Sequence, residues 1–477
     1  MSFASPIFLW YFMPALLLAL WIAPRSWRNG VVAVFSLVFY VWGAGAFVFL
    51  LLACIAFNYV AGQHVEPGRP GSSERSRKRW LIATVVFDIG ILAIWKYGTF
   101  AQEEARALIR DFGGGGGSVL RIALPIGISF FTFHHLSYVI DVFRGLRPAQ
   151  RHPVQFLTYI AMFPQLIAGP IVRYHEIADQ LPARRTDRMA DFAAGFPRFA
   201  HGLAKKVIVA DSVGPIADSV FSLSSHQLTT PAAWLGALAY AMQIYFDFSG
   251  YSDMAIGLGR MLGFQLPENF ARPYSAVSIT DFWRRWHMSL SRWFRDYLYI
   301  PLGGNRGSPR RTYINLYIVF ALTGFWHGAN WTFLIWGLYH GTWLVVDRVT
   351  GYRKWPDERW QAPRRAVTFV IVVVGWVLFR ANTLHQAGSI LHAMFVPHFA
   401  ALPNAVAVAA STQRSVFLAV SALVLLIPPG FVFGRFLEGG AGTAAGLSGA
   451  AVSVLAAPYA AILVAAGTFS PFLYFKF

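Results

Sequence analysis

The strongest constraint on this chain is how far it runs without a charge. After Arg25 and Arg28 no Asp, Glu, Lys or Arg occurs until Glu66, and Gly439 to Phe475 is a second such stretch. About 20 apolar residues cross a bilayer core as a helix, so each run is long enough to span. Composition agrees: 56% of the 477 residues are hydrophobic and 13% are charged, where soluble domains carry roughly 25%. A polytopic, all-α membrane protein is the expected class.

The net charge of +18 does not redirect that reading to nucleic acid. Basic residues cluster at Arg69–Arg79, Arg173–Lys206, Arg260–Arg311 and Arg348–Arg365, between apolar segments. The positive-inside bias and anionic headgroups produce that pattern. A single cysteine, Cys54, excludes intrachain disulfides. Met1–Ala23 has no basic residue before its apolar stretch, so a retained first helix is expected.

The apolar runs predict spans over Phe3–Ala23, Val31–Ala61, Trp80–Phe100, Val119–Phe143, Val154–Val172, Phe192–Phe221 and Ala232–Leu262. Further spans follow over Thr312–Thr323, Gly324–Val346, Ala366–Phe379, Val416–Phe436 and Ala445–Tyr474. Gly113–Gly117 reads as a flexible loop. Between Arg311 and Asp347 lie 35 residues free of acid and basic groups. One helix of that length would measure on the order of 52 Å against a core of about 30 Å. Two passes or a re-entrant pair fit better, and irregular backbone at that depth needs protein or a wet cavity around it.

The turn of that pair reads Gly324-Phe325-Trp326-His327-Gly328-Ala329-Asn330-Trp331. An imidazole within a membrane segment is costly, and its near-neutral pKa suits general-base work. The alternative for His327 is a hydrogen bond across helices. Gly324 and Gly328 would admit close backbone approach. The segment Asp281–Tyr299 puts Trp283, Trp286, Leu290, Trp293 and Tyr297 on one helical stripe, the pattern of an amphipathic interfacial helix. His287 is not needed for that role, and the arginines there suit donor phosphates. His134 and His135 divide evenly between packing and function, and His340 is expected near the opposite interface as a structural residue. Asp247 and Asp253 read as buried carboxylates bonded to Tyr, Ser or Arg partners, with a proton-relay role as the lesser reading. His175-Glu176 lacks the second histidine of a zinc peptidase, and no nucleophile elbow or P-loop occurs, so no metal site is expected.

Six motifs in order carry a resemblance. They are LPIGISFFTFHHLSYVIDVFRG (Leu124–Gly145), MFPQLIAGPIVRY (Met162–Tyr174), YFDFSGYSDMAIGLG (Tyr245–Gly259), ENFARPY (Glu268–Tyr274), DFWRRWHMSLSRWFRDYLYIPLGGNR (Asp281–Arg306) and FWHGANW (Phe325–Trp331). A fainter echo lies at Ser470–Phe475. The chain resembles the membrane-bound O-acyltransferases, in the bacterial branch of the alginate O-acetylation membrane subunit. The resembling core covers about residues 124–381, within a single domain of 1–477 flanked by peripheral helices 1–123 and 382–477. The resemblance implies roughly 11–13 transmembrane or re-entrant helices around a central tunnel, in the bacterial inner membrane. It maps the essential histidine onto His327 and a second polar position onto His287. Trp326, Asn330, Arg285, Asn305 and Asp253 are the residues expected to line the tunnel or meet substrate. Acetyl-CoA is the implied donor, with no bound cofactor, and a polysaccharide the acceptor. Alginate leads, with cellulose, peptidoglycan or another envelope polymer as alternatives. The sequence ends soon after its last apolar run, so a separate periplasmic acetyltransferase partner is expected rather than a fused domain. Membrane lipids are the other partners. A proton-coupled transporter is the competing class.

Overall fold

The computed structural model describes every residue except 114–117, 183–187, 353–357, 426, 428–430, 439–442, 468–471 and 474–477. Most of the expected Gly113–Gly117 loop and of the Ser470–Phe475 echo, with the end of the Ala445–Tyr474 span, therefore lies outside the described residues. All regular structure among the described residues is helical. Four helices are long and apolar enough to cross a membrane: Phe47–Val65, Glu74–Asp111, Gln361–Arg380 and Ala444–Ala465. Shorter apolar helices cover Phe8–Ile22 and Thr412–Leu425.

Two compact units emerge. The first holds Ile7–Phe192 and Leu258–Pro267, the second Ser2–Pro6, Ala193–Gly257 and Glu268–Phe477. In the first, the Val31–Ala61 run divides into helices Arg28–Ala44 and Phe47–Val65, because Gly45 turns the chain at φ 54°. The Val119–Phe143 run is helical only from Ile128. The Val154–Val172 run breaks at Met162 into Pro153–Ala161 and Phe163–Leu166. His134 and His135 are fully buried in this unit, and His135 Nδ1 lies 4.0 Å from Asp88.

The second unit is built on two devices. Its 32-residue helix Thr230–Met261 begins in this unit and carries Asp247 and Asp253. A π-helical turn at Lys205–Ala210 lets successive lysines reach both carboxylates. Lys205 Nζ meets Asp253 at 2.7 Å and Lys206 Nζ meets Asp247 at 2.8 Å. The other device is the antiparallel pair Pro309–His327 and Trp331–Val349, each 19 residues and so about 28 Å long. The first helix runs four residues beyond the expected Thr312–Thr323 span, because nothing before Gly328 interrupts the ladder. Ser308 Oγ caps its start by accepting from Arg311 N–H. At the crossing, a Cβ on Gly324 would collide with the Phe333 carbonyl oxygen and lie 3.1 Å from Gly337 Cα. Only two facing glycines permit that approach.

Candidate functional site

The two candidate histidines enter the second unit by different routes. His327 is the last residue of its helix, where extended Gly328 stops the ladder. Its ring sits among Trp326 (4.8 Å between centroids), Phe379 (5.1 Å) and Trp336 (5.2 Å) and is 8% exposed. It faces a cavity of about 20 Å³, room for one water-sized group, lined also by Asp247, Phe248, Trp286, Trp336, Trp376 and Phe379.

His287 overturns the expected continuous amphipathic helix. The segment breaks there into Ile279–Arg285 and Met288–Phe294, and His287 adopts φ 43°, ψ 55°. A left-handed backbone at a non-glycine residue costs roughly 1–2 kcal/mol, so its surroundings must hold it. Asn269 does so: its carbonyl accepts from Met288 N–H at 2.9 Å and its Oδ1 accepts from Ser289 Oγ at 2.8 Å. The same Oδ1 lies 3.1 Å from His287 Nδ1, while Asn269 Nδ2 donates to Ser252 at 3.0 Å. An oxygen already surrounded by donors requires Nδ1 to carry the proton, leaving Nε2 bare. Nε2 is buried without a hydrogen-bond partner among the described residues. Trp283, Trp286 and Trp293 are likewise buried, in an aromatic core and not against lipid as expected of interfacial anchors.

The histidines converge through one ring. Phe248 stands edge-on to His287 at 4.7 Å and lines the His327 cavity with Trp286. A second cavity, about 450 Å³, lies on the other side of Trp283, which packs on Trp336 at 5.7 Å. That volume falls in the range of small-molecule sites. Arg284, Arg292, Arg295 and Arg348 line it, together with Thr280, Tyr299 and Thr323. Its wall follows the first helix from Leu316 to Thr323, that is from 11 to 4 residues, or about 16 to 6 Å, before His327.

The remaining expected site residues scatter. Trp326 packs on His327 as described. Asn330 caps the following helix, accepting from Thr332 N–H at 3.0 Å and donating to the Asn382 carbonyl. Arg285 pairs with Asp281 at 2.9 Å and lines neither cavity; its neighbour Arg284 does. Asn305 stands at the rim of the large cavity, where it accepts from Arg348 Nη1 at 2.8 Å and from Tyr299. Asp253 is held by Arg198 and Lys205 away from His327. Arg198 also binds Glu268 and Glu438. The carboxylate at the His327 cavity is Asp247, paired with Lys206 and accepting from Leu473 N–H at 3.0 Å. Asp253 thus has an arginine partner of the expected kind, whereas Asp247 is held by a lysine and a backbone N–H in place of the expected Tyr, Ser or Arg. His340, expected near an interface, is mid-helix and fully buried between Trp283 and Trp336, both 5.1 Å away. Asn269 was not singled out from the sequence; its one signal is a lone amide inside ENFARPY.

The second unit thus holds a buried imidazole with a bare nitrogen, a second imidazole at a small buried cavity, and an arginine-lined chamber behind one layer of rings. The membrane-bound O-acyltransferase family model matches residues 125–384, more than half of the chain, and the chain belongs to that family. It is an O-acyltransferase. It is 48% identical over 399 residues to the probable alginate O-acetylase of Azotobacter vinelandii, covering 83% of this chain and 78% of that protein. Identity is 35% to the peptidoglycan O-acetyltransferase of Helicobacter pylori, over 82% of this chain and 79% of that one. With the teichoic acid D-alanyltransferase of Bacillus subtilis it is 30% over 55% of this chain and 70% of that protein.

Proposed function

We propose that this enzyme moves acetyl groups from cytoplasmic acetyl-CoA, across the bacterial inner membrane, to a polysaccharide, alginate first among the acceptors. The observation that carries the reading is the pair of cavities either side of Trp283 and Trp336, one lined by arginines and one by His327. The arginine-lined end belongs to the basic Arg310, Arg311 and Arg348 cluster, which the positive-inside bias assigns to the cytoplasm. Four guanidinium groups there suit the phosphates of an acyl-CoA. The similarity to alginate O-acetylases supports the acceptor. A separate periplasmic acetyltransferase partner completes delivery to the polymer.

In the transfer, a hydroxyl oxygen attacks the acetyl carbonyl carbon while His327 takes the hydroxyl proton. The carbon–sulfur bond breaks, the thiolate leaves, and the imidazolium returns a proton to give free thiol. His287, through bare Nε2, accepts from a neighbouring hydroxyl of the acceptor and so orients it, leaving the attacking hydroxyl's proton to His327. The test uses proteoliposomes supplied with labelled acetyl-CoA, with the label followed to added oligosaccharide. Positioned base catalysis is worth roughly 10² to 10⁴ in rate, so His327→Ala should lose that factor while remaining monodisperse. Near-parent transfer by His327→Ala, or passage of an intact solute without acyl transfer, sinks the reading.

A further inference from the structure

The first unit holds a cavity that the acyl-transfer reading does not use. It measures about 480 Å³ and lies between the end of helix Met13–Ile22 and the starts of helices Arg28–Ala44 and Arg188–Ala204. Leu17, Leu18, Leu20, Phe192, Met261 and Leu262 give it apolar walls. Leu18 and Phe192 are exposed, 62% and 38%, so the chamber opens sideways toward whatever bathes the apolar flank.

Its rim is cationic beyond what the described protein balances. Arg28 is only 7% exposed, its Nε is buried without a hydrogen-bond partner, and no described carboxylate pairs with it. Arg188 also lines the cavity and donates to the Trp21 and Ala23 carbonyls. Arg25 and Arg188 lie near enough to repel Arg28. The acid in the wall, Asp191, is paired with Arg260 at 3.0 Å. A buried guanidinium among like charges is costly unless an anion joins it. Exposed Trp21 lines the same cavity and exposed Trp27 precedes Arg28 in the chain, as tryptophans do at headgroup level.

We infer that this cavity binds one anionic glycerophospholipid, its phosphate on Arg28 and Arg188 and an acyl chain along Leu17, Leu20 and Met261. Charge complementarity selects the headgroup, and the lateral apolar chamber selects a lipid over free phosphate.

The test uses the full chain in phosphatidylcholine nanodiscs doped with phosphatidylglycerol, with bound lipid counted by native mass spectrometry. The parent should retain one phosphatidylglycerol, favoured over phosphatidylcholine by at least about tenfold. Arg28→Gln should lower retention to the phosphatidylcholine level, and millimolar inorganic phosphate should not displace the lipid. Leu17→Trp, which narrows the chamber and keeps every arginine, should lower retention too and serves if Arg28→Gln does not fold. Equal retention of the two lipids by the parent, undiminished retention by either folded variant, or displacement by phosphate alone would overturn the assignment.

Discussion

Gly324→Ala probes the link between helix packing and the candidate base. The added methyl would collide with the Phe333 carbonyl oxygen and sit 3.1 Å from both Gly337 Cα and N. Backbone atoms cannot rotate aside, so the two helices must part by about 1 Å to restore ordinary contact. His327 is three residues on, at the end of the displaced helix. A misplacement of 1 Å costs about 10²-fold where geometry sets the rate, and overpacking costs about 1–3 kcal/mol of stability. The assay is initial-rate acetyl transfer in proteoliposomes, beside a thermal melt of the same preparation. Gly388→Ala is the control: its Cβ would meet nothing within 4 Å, and a helical glycine replaced by alanine gains about 0.5–1 kcal/mol. Parent-level transfer by folded Gly324→Ala would refute the claim that this crossing holds His327 in register.

Other expectations follow from the same geometry. Arg284→Ala with Arg348→Ala should raise KM for acetyl-CoA by about 10- to 100-fold with kcat nearly unchanged, as lost ground-state contacts do; a fall in kcat alone would place the donor elsewhere. Lys206→Met removes the cation shared by Asp247 and Asp211 and should cost about 3–5 kcal/mol, partly recovered by adding Asp247→Asn; a melt matching the parent would show the pair to be immaterial.

Charge-free runs, basic clusters and the order of six motifs were enough to establish a helical membrane protein and its family. These signals are local, and membrane insertion leaves few structures open to such runs. The helix pair was legible for the same reason, since 35 residues without Asp, Glu, Lys or Arg exceed one crossing, and Gly324 was expected at a close approach; its facing partner Gly337 was not. Tertiary structure alone decided the rest. A continuous apolar stripe predicted one helix through His287, whereas Asn269, 18 residues earlier, holds the left-handed turn there and sets the imidazole's tautomer. Asp247 and Asp253 look alike in sequence. Which one faces His327 depends on where a π-turn in another helix sends two neighbouring lysines. Periodicity reports which residues share a helical face. It carries no record of the distant side chain that meets that face, and the chemistry of the site resides in those meetings.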